Sequence, residues 1–211
     1  MSSLIDPDRN IRKWADWQEA AADNKVTQAE RDLVEAVQVG HGCSLGGGTR
    51  PDSPSYACEV GADLLRYLII GGCAECEGLH EVGVALSGAY VSKPLNLMYC
   101  TAVGMTRLTS CRFEGKIFAE QAKFELLNLE GSACLGIIAQ GAEVKGSVLL
   151  SDGFSAKGEV SLSSAVIGGQ LACEKGSFEN EDGKAINAQG VEVKGSVYLR
   201  NGFLAKGEVS L

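Results

Sequence analysis

AQGAEVKGSVLLSDGFSAKGEVSL, residues 139–162, returns 49 residues later as AQGVEVKGSVYLRNGFLAKGEVSL, residues 188–211, with 19 of 24 positions unchanged. A repeat of this length marks a chain of supersecondary units that bury their apolar faces against one another. A shorter unit lies inside it. Apolar residues stand at i and i+2 in Val148/Leu150, Val160/Leu162, Leu171/Cys173, Val197/Leu199 and Val209/Leu211. Alternation of that period points both side chains of a pair to one face of a strand.

The same pairs run back toward the N-terminus as Ile186/Ala188, Leu127/Leu129, Ile117/Ala119, Leu95/Leu97 and Val84/Leu86, with looser units around Leu108 and Ile137. Three or four residues after each pair comes another inward position. It is often small, at Ala89, Cys111, Ala122, Ala133, Ala142 and Ala165, and in later units it is Phe154, Phe178 and Phe203. Like types at one register predict stacked columns, Phe on Phe. Two units make a coil of roughly 21–25 residues, the length of one turn of a parallel β-helix. About six such coils, at ~4.8 Å each, predict a rod about 29 Å long. Residues 179–183 are longer than their counterparts and are expected to bulge from one corner. The division expected is an α-helical N-terminal cap region, 1–81, and parallel β-helix repeats, 82–211, truncated or uncapped at the C-terminus.

Within 1–81, residues 8–23 carry Ile11, Trp14, Trp17 and Ala21 at helical spacing. Residues 27–39 open with Thr27-Gln28-Ala29-Glu30, the pattern of a capping box. Residues 41–54, rich in Gly, Ser and Pro, read as a loop, and 59–70 as a third helix stopped by Gly71-Gly72. Two Trp on one face are a large apolar area, and the packed reading of them is favoured over an exposed contact surface.

The net charge of −8 is unevenly placed. Residues 1–81 hold 14 acidic and 7 basic side chains, 82–141 hold 4 and 5, and 142–211 hold 9 and 7. The repeats are close to neutral. No apolar run approaches the ~20 residues of a membrane span, and the N-terminus lacks the pattern of a secretory signal. The reading is a cytoplasmic protein with free thiols.

One local motif carries chemical potential: Cys73-Ala74-Glu75-Cys76, with His80 four residues on. Two thiols at that spacing can share a metal or cycle to a disulfide. A structural zinc would need further ligands, for which Cys43 is the first candidate, with His41 and Cys58 behind it. A second Cys-x-x-Cys, which would make the signal strong, is absent. Gly46-Gly47-Gly48-Thr49 lacks the lysine and the strand–helix context of a phosphate loop. Two histidines do not assemble a catalytic triad. The recurring charges, Glu143 and Lys145 with Glu192 and Lys194, read as a solvated face that keeps strand edges apart.

The stretch LTSCRFEGKIFAEQAKFELLNL, residues 108–129, resembles pentapeptide-repeat proteins, which are right-handed quadrilateral β-helices. More closely, GGCAECEGLHEVGVALSGAYV (71–91), VIGGQLAC (166–173) and GSVYLRNGFLAKGEVSL (195–211) are similar to a family of largely uncharacterised bacterial β-solenoid proteins. Some of its members are labelled "membrane-associated oxidoreductase". The resemblance implies a mainly β, right-handed parallel β-helix and brings no catalytic residues with it.

Three functions follow as expectations. The first is a non-catalytic scaffold binding a protein partner, or self-associating through an open C-terminal coil. The second is a redox or metal-binding protein using Cys73 and Cys76. The third is a DNA-mimicking topoisomerase inhibitor, which would need a run of carboxylates that this near-neutral rod does not offer. No nucleic-acid partner and no bound cofactor are expected beyond the candidate zinc.

Overall fold

A computed structural model of the chain describes residues 3–72 and 82–211. It is a parallel β-solenoid of about six turns preceded by short helices, as the repeats predict. Each full coil crosses four walls. Wall one stacks Gly83–Ser87, Met105–Thr109, Leu127–Asn128, Val148–Leu149, Leu171–Ala172 and Val197–Tyr198. Wall two begins at Tyr90–Val91 and wall three at Leu95–Asn96. Wall four stacks Lys123–Phe124, Glu143–Val144, Val166–Ile167 and Glu192–Val193. All pairing is parallel, so each strand bonds to the coil before and the coil after.

The paired apolar residues of the sequence build walls one and three. On wall three Leu95, Ile117, Ile137, Val160, Ile186 and Val209 form one column. Successive members are therefore 22, 20, 23, 26 and 23 residues apart. Walls two and four send in one central residue per strand: Phe113, Cys134, Ala156 and Phe178 on one, Phe124, Val144 and Ile167 on the other. The coil widens where Glu179 and Ile186 lie seven residues apart, against three between Lys157 and Val160 on the coil before. The extra residues bulge at the corner of walls two and three, inside the continuous strand Ser177–Asn187, where the register shifts at Lys184.

Two corners turn through the left-handed region. One holds Tyr99, Gln121, Gly141, Ser164 and Gly190, with φ between 54° and 68°. The other holds Ser110, Gly131, Asp152, Lys175 and Asn201. One such residue per coil is what closes a rod of two-residue strands, and side chains other than glycine stand there at a cost of about 1 kcal/mol each.

The three Phe rings do stack, with 5.5 Å between neighbouring centroids. They do not share one register, however. Pairing of Ser155 with Ser177 and of Ser177 with Leu204 puts Gly176 between Phe154 and Phe203. The middle ring comes from Phe178, two residues on, and leans over Gly176. Its own column neighbours are Ala156 and Ala205. Small residues thus stand wherever the ring of the adjacent coil needs room, which is how close packing is reached in a narrow interior.

One inward position differs from the sequence reading. Ala133 is only half-buried and Ser132 is turned inward beside it. The Ser132 hydroxyl accepts from the Cys111 backbone N–H at 2.8 Å and donates to the Leu108 carbonyl at 2.6 Å. With both functions satisfied, the hydroxyl is affordable in the core.

The helices are α1 (Trp14–Ala22), α2 (Gln28–Gln38) and α3 (Ala62–Ile69). Thr27 and Glu30 form the expected capping box at α2. Trp17 is buried and Trp14 packs against the same core. Apolar residues of the helices and the rod make one continuous cluster. The N-terminal segment also enters the rod: Cys43–Ser44 pairs with Leu86–Ser87 on wall one, and Glu59 bridges Tyr90 on wall two. The loop between contains a 3-10 turn, Gly46–Gly48, whose glycines all have positive φ.

Candidate functional site

Of the four candidate metal ligands, Cys73, Cys76 and His80 lie outside the described residues. Cys43 sits at the end of wall one, buried, with its thiol pushed up to about 11 by burial and then by the charge of Asp32. Zinc binds the thiolate, so recruiting Cys43 would have to offset that desolvation. Cys58 is buried with its sulfur 3.0 Å from the Ser55 hydroxyl, and His41 is exposed. Among the described residues no three His, Cys, Asp or Glu side chains are arranged to hold a metal.

The cysteines of the repeats are core residues. Burial pushes the thiols of Cys111, Cys134 and Cys173 up to about 12. Cys100 is also raised, chiefly by burial, with Arg66 opposing the shift. Thiols so placed behave as small hydrophobes with little thiolate at neutral pH.

A polar cluster that sequence patterns did not reveal locks the N-terminal segment. The Arg9 guanidinium forks onto Glu30 at 2.5 and 2.8 Å and onto Asp63 at 2.8 and 3.0 Å. The Glu30 side chain is wholly buried and also accepts from the N–H groups of Thr27 and Gly61. Gly61 has no side chain because a Cβ there would run into the Arg9 guanidinium. Nearby, buried Glu59 accepts from Ser3 Oγ at 2.6 Å, Leu4 N at 2.8 Å and Ser92 Oγ at 2.7 Å. Ser92 belongs to the first coil, so Glu59 ties the cap to the rod. The capping box pointed to Glu30. Nothing in local sequence pointed to Arg9, whose partners are 21 and 54 residues away.

The outer surface of the rod is crossed by ion pairs that join successive coils. Lys123 meets Glu143 at 3.1 Å, Lys145 meets Glu125 at 2.5 Å, and Lys175 meets Asp152 at 2.8 Å. Arg200 meets Glu174 at 2.7 Å and Lys206 meets Glu179 at 3.4 Å. Each is exposed and individually weak, but together they match base to acid along the walls. The hollows between are shallow and open. One of about 380 Å³ lies over wall one by Cys43 and Arg107, and one of about 320 Å³ lies over wall two by Arg50, Arg112 and Lys157. A third, of about 330 Å³, lies over wall four around Val166 and Gly168.

The recurring charges of the sequence are therefore placed two coils apart on wall four, with Val166 and Gly168 on the coil between. No helix among the described residues is long and apolar enough to cross a membrane. No protein-family model, no curated protein and no solved structure matches this chain.

Proposed function

We propose that the chain is a non-catalytic scaffold whose solenoid walls are read by protein partners, in the manner of a right-handed, pentapeptide-repeat-like rod. The observation that carries this reading is the ladder of coil-to-coil ion pairs. A duplex mimic needs a run of free carboxylates spaced like phosphates, whereas five of the thirteen in residues 82–211, Glu125, Glu143, Asp152, Glu174 and Glu179, have a basic partner from an adjacent coil and break up any such run. What remains is a set of flat, mixed-charge walls with open hollows, the surface by which repeat proteins engage extended partners. The four-walled coil also supports the pentapeptide-repeat likeness, and the 20-residue step from Ile117 to Ile137 is the length of four pentapeptides.

Affinity capture from the source cell tests the reading. The bait is the wild-type chain, compared with a variant carrying Leu135→Asp and Val166→Asp on two walls. Proteins held by the first and lost from the second are expected. Identical captures with both, together with inhibition of gyrase supercoiling by the wild type, would favour the mimic instead.

A further inference from the structure

Beyond a first, uncharged rung at Thr101, wall four carries two outward columns. One runs Lys123, Glu143, Val166, Glu192, and the other, two residues on, runs Glu125, Lys145, Gly168, Lys194. Every charged rung holds one acid and one base, never two of a kind. Lys123 and Glu125 spend their charges on the next rung, Glu143 and Lys145. Glu192 and Lys194 are exposed, and Lys194 borders the same hollow as Val166 and Gly168. Between the charged rungs Val166 stands beside an open hollow at Gly168. Gly168 is a glycine for its own wall's sake, because the Lys145 carbonyl occupies the place of a Cβ. The hollow is the consequence.

We propose that wall four is self-complementary, and that two copies of this chain pair side by side through it about a twofold axis parallel to the rod. Such a rotation leaves each rung at its own height and exchanges the two columns. Glu192 then faces Lys194 of the second copy, Glu143 faces its Lys145, Lys123 faces its Glu125, and Val166 drops over the gap at Gly168. A twofold makes every one of these contacts twice. The alternative twofold, parallel to the strands through the Val166 rung, would set Glu192 on Glu143 and Lys194 on Lys145, like on like. A strand-parallel axis midway between the Glu143 and Val166 rungs would pair Glu192 with Lys123 and Lys194 with Glu125, but it would set Glu143 on Val166 and Lys145 on Gly168, so of these axes only the first matches every charge. Four rungs of one wall are much smaller than the ~800 Å² per partner of a standard stable interface, so the pairing is weak and rapidly exchanging. This contact is separate from any end-to-end contact at the outermost coil.

Sedimentation velocity over a concentration series up to ~1 mM tests it, with circular dichroism melts to show that each variant is folded. The wild type is expected to dimerise reversibly. Glu192→Lys sets lysine on lysine and Lys194→Glu sets glutamate on glutamate, so each alone weakens dimerisation about tenfold. An equimolar mixture of the two regains it, because every contact is then opposite in sign. The exchange of both, E192K/K194E, keeps wild-type dimerisation. Val166→Asp, one coil in from the outermost rung, abolishes it, whereas an end-to-end contact is indifferent to that change. A wild type that stays monomeric, a mixture no better than its components, or an exchanged variant as impaired as the single ones would overturn the proposal.

Discussion

Truncating Phe178 to alanine removes the middle ring of the stack and with it both 5.5 Å ring contacts, to Phe154 and to Phe203. Phe178 is fully buried, and a buried Phe→Ala change costs about 3–5 kcal/mol through lost transfer energy and the cavity left behind. The two ring contacts account for roughly 1–3 kcal/mol of this. Ala156 and Ala205, its column neighbours, are too small to fill the space. Urea unfolding followed by far-UV circular dichroism measures the loss, and fluorescence of Trp14 and Trp17 follows the N-terminal cap separately. Because a solenoid coil touches only its neighbours, the strand signal is expected to move to lower urea more than the tryptophan signal. Adding Gly176→Phe to Phe178→Ala puts a ring in the register of Phe154 and Phe203, and no rescue is expected. A Cβ at 176 would lie 2.7 Å from the Leu150 carbonyl oxygen and 3.0 Å from that of Cys173. A loss below about 1 kcal/mol, or full rescue by the double change, would refute the offset packing of the column.

Replacing Arg9 by Met strands buried Glu30 and mostly buried Asp63 without their cation; a loss of about 3–5 kcal/mol is expected in the tryptophan-monitored transition. At the left-handed corner, Ser164→Gly is expected to raise stability by about 1 kcal/mol and Gly190→Ala to lower it by a similar amount, read from urea midpoints. The buried thiols of Cys111, Cys134 and Cys173 stay neutral in the fold up to about pH 12, while in the unfolded chain they ionise near 9. Their folded values are raised and the charged form is the deprotonated one, so stability is whole below pH 9 and falls as pH rises toward 12. At pH 10 each such thiol costs on the order of 1 kcal/mol, which a series of melts from pH 8 to 10.5 measures, with replacement of the three by Ala or Ser flattening the fall. The same three thiols are expected to resist a disulfide exchange reagent at pH 8 until the chain is unfolded.

Walls one and three are legible because most of their strands carry two apolar residues at i and i+2, as at Val84/Leu86, Leu127/Leu129 and Val160/Leu162, and bury both. Walls two and four are not, since each strand sends in one central residue, such as Val144 or Ile167, between two that face out. Without alternation there is no period to detect, and the recurrence of small apolar residues points to Ala133, whereas the buried residue is Ser132, whose hydroxyl is satisfied only by contacts with the neighbouring coil. The recurrence of Phe154, Phe178 and Phe203 predicts a stack, but the offset of Phe178 depends on Gly176 and on contacts between coils. The Arg9 cluster joins three segments far apart in the chain, so no local signal marks it. On wall four the charges recur at 49 residues in the sequence, yet the coil that stands between them, with Val166 and Gly168, shows only once strands are in register.

The ion-pair ladder, the packing of the rings and the wall-four face all depend on the register that stacks Lys123, Glu143, Val166 and Glu192 in one column. Disulfide trapping measures that register directly. Glu143→Cys with Val166→Cys places two cysteines on adjacent parallel strands within the range a disulfide spans, and mass spectrometry after mild oxidation is expected to find a 143–166 link in high yield. Lys145→Cys with Val166→Cys, a diagonal pair beyond about 7 Å, is expected to give little. A slip of one residue would turn position 166 into the core, and equal yields from the two pairs, or none from the first, would contradict the stacked solenoid described here.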